Sequence, residues 1–326
     1  MKIAVFGVES WEKEEFCKAF PQEHLFFSSQ KLSLQGLSTV KDMEVLVVFV
    51  NSNITSRVLG LLPRLKCIAT MSTGYDHIDQ EACQERGIRV CNVPTYGENT
   101  VAEHAMGLLL GLSRKLVQNV EQVRSGKFQF GGVRGFDLKG KTLGIIGGGH
   151  IGMHVACMAR GFDMKVLVFD LQRNRKLARQ IVFSYVSLHT LLRHADIVSL
   201  HIPYNAHTYH LINRSAIQQM KEGAYLINTS RGGVVDTKAL LQALRSKKLA
   251  GAGLDVLEQE PKKGGRDVRE EHGPLGETAK ALLNMPEVLM TPHSGYNTPE
   301  ALKRILQTTI QNIKGYKRGK IVHRVI

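Results

Sequence analysis

Apolar residues near the start of the chain come in short runs, Lys2 to Gly7, Glu44 to Val50, Lys66 to Met71 and Ile88 to Asn92, separated by polar, helix-compatible stretches. Such runs are continuously apolar and do not alternate. They suit strands covered on both faces, so the pattern predicts β/α units around a parallel sheet. Between the third and fourth runs, Ser72 to Gly74 makes a small-residue turn that exposes backbone N–H groups, and a helix is predicted to follow and end near Gly87. Pro94 stops the fourth strand. From Glu98 to about Lys127 helix formers run without proline, which predicts one helix about 40 Å long at 1.5 Å per residue. Val101, Ala105, Leu108, Leu109 and Leu112 form an apolar face on a segment too long for one domain to cover, so this helix is expected to make a dimer.

The alternation then resumes. Leu143 to Ile146 is a strand-like run that leads into Gly147, Gly149 and Gly152, spaced G-x-G-x-x-G, and small and apolar residues continue at helical spacing to Ala159. Lys165 to Phe169 is a second strand, ending at Asp170. In such a unit the glycines allow a tight turn, close approach of a pyrophosphate and packing of helix on strand, while the terminal acid accepts hydrogen bonds from a ribose. Together these features predict dinucleotide binding. Ala195 to Ile202, Ala224 to Thr229, Gly251 to Val256 and Val288 to Thr291 are further strands. Arg214 to Lys221, Asp236 to Ser246 and Pro299 to Tyr316 are helices, and the charged, glycine-rich Lys262 to Gly276 reads as an exposed loop. The fold class expected is α/β, with a doubly wound domain from about Glu98 to about Pro292.

Composition narrows the picture only a little. With 326 residues, 43% hydrophobic and 22% charged, the chain suits a two-domain enzyme. No stretch has the roughly 18 unbroken apolar residues of a membrane span, and the N-terminus reads as a first strand and not a signal. Cys17, Cys67, Cys83, Cys91 and Cys157 are scattered, without C-x-x-C spacing, and are expected to be reduced, buried thiols, which implies a cytoplasmic location. The net charge of +14 is dispersed, with modest runs at Arg173 to Lys176 and Arg245 to Lys248. That favours attraction of an anionic substrate and cofactor over contact with nucleic acid or membrane. No metal site is expected.

Three residues lie just past predicted strand ends of the nucleotide domain: Arg231 in NTSRGGVVD, Glu260 in LDVLEQEP and His293 in TPHSG. Hydride transfer to a 2-keto acid needs a cation for the carboxylate, an acid for the developing alkoxide, and a group that keeps that acid protonated. Arg, His and a neighbouring carboxylate supply the three. Singly, each residue has a plainer account as a turn, loop or capping residue.

These motifs, together with GGGHIG at Gly147 to Gly152, HIP at His201 to Pro203 and TPHSGYNT at Thr291 to Thr298, are similar to those of the D-isomer-specific 2-hydroxyacid dehydrogenases, most of all the D-lactate dehydrogenase branch. The resemblance implies a Rossmann NAD-binding domain over 98–294, inserted in a smaller flavodoxin-like substrate domain formed by 1–97 plus 295–326, with the active site in the cleft between them. It implies Arg231 as substrate-binding residue, Glu260 as the group that tunes the pKa, and His293 as acid/base. Ser72, Thr73, Gly74 and Tyr75 match the loop that holds the substrate carboxylate; Tyr96 matches an aromatic contact, and Tyr296 is placed with it as a second aromatic wall. Asp255 falls near the nicotinamide amide. Ile151, Pro203 and Thr229 line the cofactor, and His150, Ile202, Thr208 and Ser230 join that set. The implied activity is NAD-dependent interconversion of pyruvate and D-lactate by a homodimer. A glyoxylate or hydroxypyruvate reductase, and a nucleotide-sensing corepressor-like binding protein, stand as alternatives. By the same resemblance, no C-terminal regulatory domain of the kind that longer relatives carry is expected.

Overall fold

The computed structural model describes residues 1–131, 133–258 and 274–326. They divide into two compact units, Met1–Tyr96 with Asn297–Ile326, and Gly97–Tyr296.

In the first unit, β1 (Lys2–Phe6), β2 (His24–Ser28), β3 (Val45–Val48), β4 (Cys67–Thr70) and β5 (Arg89–Cys91) form one sheet in the order β2-β1-β3-β4-β5. All of its ladders are parallel, and the order is that of flavodoxin-like sheets. The interior strands β3 and β4 are buried along their whole length, which is why they show as unbroken apolar runs. The pattern missed β2, an edge strand that is exposed or half-buried throughout and therefore lacks that signature. Thr298 caps the helix Pro299–Lys317 by accepting the Ala301 N–H at 3.2 Å, and Pro299 stands at its start. That helix buries Ala301, Ile305, Leu306, Thr309 and Ile313 at helical spacing.

The second unit holds β6 (Thr142–Ile146), β7 (Lys165–Phe169), β8 (Ser184–Tyr185), β9 (Ile197–Leu200), β10 (Ala224–Asn228), β11 (Leu249–Leu254) and β12 (Val288–Met290). Their order is β12-β11-β10-β9-β6-β7-β8, again parallel. Counting from β6, this is the Rossmann order 3-2-1-4-5-6 with one strand added. The winding reverses between β6 and β9, which opens a crevice at the carboxyl ends of those two strands. The two-residue β8 at the far edge is too short to leave a periodic signal.

The expected 98–127 helix is two helices, Glu98–Ser113 and Leu116–Arg124, separated at Lys115, whose φ is 52°. The chain crosses the end of the first helix. Phe136 donates its N–H to the Ser113 carbonyl at 2.8 Å, and a Cβ on Gly135 would stand 2.2 Å from that oxygen. A backbone N–H from a segment later in the chain thus takes up the carbonyl that the next turn would have used. The apolar face of Glu98–Ser113 is also spent inside its own unit. Ala105, Leu108, Leu109 and Leu112 are buried, and a Cβ at Gly253 of β11 would lie 3.0 Å from Leu108 Cβ. The face expected to make a dimer is therefore core.

Two smaller corrections follow. A helix, Pro274–Leu283, begins inside the expected loop, while residues 262–273 of that loop lie outside the described residues. All five cysteines are free thiols, but Cys17 and Cys157 are exposed, because each sits on the solvent side of its helix. Among the described residues no helix is long and apolar enough to cross a membrane, and no cluster of His, Cys, Asp and Glu could hold a metal ion.

Candidate active site

The crevice between β6 and β9 is built by glycines that have no room for a side chain. Gly147 leaves β6 with φ +100°, and a Cβ there would stand 2.2 Å from the His201 carbonyl oxygen at the end of β9. A Cβ on Gly152 would stand 2.0 Å from the Gly147 oxygen, so the helix His150–Gly161 can reach the strand only with glycine at that position. Gly149, the N-cap, is the opposite case. Nothing lies within 4 Å of where its Cβ would be, so the backbone faces open space at the positive end of the helix.

Asp170 closes the other side of this turn. One carboxylate oxygen accepts the Gly148 N–H at 2.6 Å and the other the Gln172 N–H at 2.7 Å. Together with Gly148, Gly149, Arg173 and Arg175 it lines a cavity of about 960 Å³. His150, also on the wall, is largely exposed, with Nδ1 3.4 Å from Glu98 Oε1. Ile151 packs on the core beneath, and Ile202 sits against Gly147. His201 donates or accepts with Ser199 Oγ at 2.8 Å, and burial pushes its pKa down to about 4, so it is neutral at physiological pH. Pro203 is exposed. Thr208 donates its hydroxyl to the Pro203 carbonyl at 2.7 Å, which closes the loop after β9.

On the other side of β9 the carboxyl ends of β10, β11 and β12 are stitched together. Asn228 pairs with Leu254 and Leu254 with Met290, which brings the segments carrying Arg231, Asp255 and His293 out on one sheet edge. Asp255 donates its N–H to the Asn228 carbonyl at 2.9 Å, Thr291 to Leu254 at 2.9 Å, and His293 to Asp255 at 2.8 Å. The buried Asn228 side chain organises the first turn: its Oδ1 accepts from Ser230 N and Oγ, and its Nδ2 donates to the Arg231 carbonyl at 3.0 Å. Gly232 is forced, because a Cβ there would meet the Leu257 carbonyl at 2.0 Å. The Ser230 hydroxyl is thereby occupied inside the turn. Thr229 Oγ1 is not. It is buried and has no hydrogen-bond partner among the described residues.

Asp255 is only 3% exposed. Its Oδ1 accepts the Thr291 hydroxyl at 2.5 Å and the Ser294 N–H at 2.9 Å, and its Oδ2 accepts the Gly295 N–H at 2.8 Å. Burial works against its charge. Hydrogen bonds from His104, Thr291 and the two backbone N–H groups outweigh it and hold the carboxyl below the ordinary Asp range. The acid expected near a nicotinamide amide is thus committed to the turn that carries His293, which itself has φ 52°. Glu260 lies outside the described residues; Glu258, two positions before it, is held by His210 Nε2 at 2.8 Å.

The first unit supplies its own turn after β4. Ser72 is buried, with its hydroxyl on the Gly74 carbonyl at 2.7 Å; Thr73 Oγ1 donates to Val93, and Asn92 Nδ2 to the Thr73 carbonyl, each at 2.8 Å. The side chains fix the loop, and among the described residues the N–H groups of Thr73, Gly74 and Tyr75 donate to no protein acceptor. Tyr96 and Tyr296 are both half-buried, and the Tyr96 carbonyl accepts from Arg304 Nε at 2.6 Å. Asn228, His104 and Thr291 were not singled out in the sequence. A signal existed for His104, a half-buried polar residue next to the buried Ala105 where the helix turns apolar.

Residues 106–295 match the family model for the D-isomer specific 2-hydroxyacid dehydrogenase NAD binding domain. The chain belongs to this family. It is 34% identical to the D-lactate dehydrogenase of Escherichia coli (strain K12), over 98% of both chains. It is 36% identical to a glyoxylate reductase of Pyrococcus furiosus, over 97% of this chain and 88% of that one. Among solved structures, the D-lactate dehydrogenase from Aquifex aeolicus complexed with NAD and lactic acid superposes with a TM-score of 0.90 at 34% identity, covering 98% of this chain and 96% of that one. The protein is a D-2-hydroxyacid dehydrogenase with an NAD-binding domain. Its residues fit that cofactor: the open space over Gly149, the carboxylate of Asp170 and the unsatisfied Thr229 hydroxyl offer the room and polar groups that a pyrophosphate and ribose need.

Proposed function

We propose that this dehydrogenase interconverts pyruvate and D-lactate. The observation that carries the reading is the stitched sheet edge at β10, β11 and β12, which fixes a guanidinium-bearing turn and an imidazole-bearing turn beside the dinucleotide crevice. When bound, NADH supplies a hydride to the substrate carbon. Arg231 holds the substrate carboxylate as a bidentate cation, and His293 delivers a proton to the oxygen that develops charge. Glu260 keeps His293 protonated for that step. By the family resemblance, the N–H groups after Ser72 are assigned as further donors for the carboxylate, and Tyr96 and Tyr296 as the residues that limit the substrate side chain.

Glyoxylate reduction is the second reading, favoured by the likeness to the Pyrococcus furiosus enzyme. Steady-state kinetics on glyoxylate, pyruvate, 2-ketobutyrate, 2-ketoisocaproate and phenylpyruvate separate the two. Pyruvate is expected to lead, with each added methylene costing about 1–3 kcal/mol in kcat/KM. A lead for glyoxylate selects the second reading, and a lead for phenylpyruvate refutes the narrow pocket. NADH is expected to outperform NADPH, because Asp170 repels a 2′-phosphate; Arg173 and Arg175 on the same cavity wall soften the preference.

The protein is also proposed to be a homodimer, through a surface other than the helix face expected from sequence. Leu116, Val117, Val120 and Val123 on the helix Leu116–Arg124 are between 41% and 53% exposed, and Phe128 and Phe130 beyond it are more so. A second copy of this apolar stripe would cover it in an isologous contact. Light scattering at micromolar concentration is expected to give twice the 36.3 kDa chain mass, and Val120→Glu with Val123→Glu to give the single mass. A wild-type monomer overturns the assignment.

A further inference from the structure

We propose that His104 is a positioning residue for His293, acting through Thr291 and Asp255; the proposal rests on the reading of His293 as the proton donor. His104 belongs to the helix Glu98–Ser113, yet its ring reaches the turn beyond β12. Its Nε2 stands 2.9 Å from Thr291 Oγ1 and 3.2 Å from Asp255 Oδ1. The Thr291 hydroxyl proton is already given to Asp255 at 2.5 Å, so Thr291 can only accept from the imidazole. The carboxylate can only accept as well. Both neighbours therefore require a proton on Nε2, and the arrangement selects the tautomer in which His104 is the donor to the pair.

The same ring forms one wall of the turn. A Cβ on Gly295 would stand 2.9 Å from Asp255 Oδ2 and 3.3 Å from His104 Cδ2, so the glycine of TPHSG is explained by how closely the Asp255 carboxylate and the His104 ring approach the backbone. Between Thr291 and Gly295 lies His293, in a left-handed conformation that a non-glycine residue keeps only when its surroundings impose it. Those surroundings are the Asp255 carbonyl, which accepts the His293 N–H, and the Asp255 carboxylate, which accepts from both Ser294 and Gly295. His104 is the side-chain group that reaches this assembly from the helix. Without it a buried carboxylate and hydroxyl lose a donor, and the turn loses the ring against which Gly295 rests.

A displacement of about 1 Å at a reacting group can cost about 100-fold in rate. His104→Phe keeps ring volume and removes the donor. It is expected to lower kcat for keto-acid reduction by about 10- to 100-fold, to leave the NADH dissociation constant near the wild-type value, and to raise the deuterium isotope effect with 4-deuterated NADH as the chemical step becomes limiting. His104→Gln, which restores an N–H, should recover much of the loss; a merely structural histidine would not show that rescue. Thr291→Val removes the hydroxyl and leaves the ring, and supplies the test should His104→Phe fail to fold; the same fall in kcat is expected. A folded His104→Phe or Thr291→Val with wild-type kcat, measured beside an inactive His293→Gln, overturns the positioning role alone. A His293→Gln protein that turns over normally overturns the functional reading, and this proposal with it.

Discussion

Replacing His293 should abolish turnover and spare cofactor binding. Loss of a general acid costs about 10²- to 10⁴-fold in rate, whereas NADH is expected to bind at the crevice between β6 and β9, on other strand ends. The choice of variant matters, because His293 has φ 52°. Gln removes the imidazole but also places an ordinary residue in a left-handed conformation. Asn tolerates that region better, so His293→Asn separates loss of the proton donor from any relaxation of the turn. Both variants are expected to fall equally in kcat, and fluorescence titration should return nearly the wild-type NADH affinity for each. If the Asn variant keeps substantial activity, the backbone and not the imidazole was responsible, and another group must deliver the proton.

The second large effect concerns the glycine turn, where two neighbouring glycines should fail in different ways. Gly152→Ala drives a methyl group to within 2.0 Å of the Gly147 carbonyl oxygen, and that oxygen cannot retreat because Gly147 is itself pressed against His201. The helix must move off β6. Such overpacking costs about 1–3 kcal/mol or more, so both the melting temperature and the NADH affinity should fall. Gly149→Ala meets nothing within 4 Å, so the apoprotein should melt as wild type does. Its methyl group instead occupies the space a pyrophosphate needs, and NADH binding should weaken by about tenfold or more, which is about 1.4 kcal/mol. Thermal melts without cofactor, paired with titrations, distinguish the two. Equal melting losses would mean that Gly149 is also a packing glycine and not the phosphate cradle.

What could be read in the sequence was what the backbone itself demands. Gly147 and Gly152 are recognisable because close approach excludes every other residue, and interior strands such as β3 and β9 are recognisable because burial on both faces makes them mostly apolar runs. The strand-end positions of Arg231 and His293 followed from those strands. Edge strands β2 and β8 carry weaker patterns because one side of each lacks a partner strand. The break at Lys115 was illegible for a different reason: its cause, the chain at Gly135 and Phe136 crossing the helix end, lies 20 residues away in sequence. The partnership of His104 with Thr291 and Asp255 spans still longer separations, so spacing alone does not bring those residues to one turn.

The turn at Lys115 divides the labour of two consecutive helices. Before it, apolar residues are consumed in the interior of a single protomer; after it, Leu116, Val117, Val120 and Val123 contribute to no core and remain at the surface. In the proposed dimer, changes before Lys115 act on folding and changes after it on association. Quaternary structure can then drift, tighten or be lost by surface substitution alone, without passing through an unfolded or inactive intermediate sequence. An engineered single-chain catalyst would begin from the second helix and leave the first untouched.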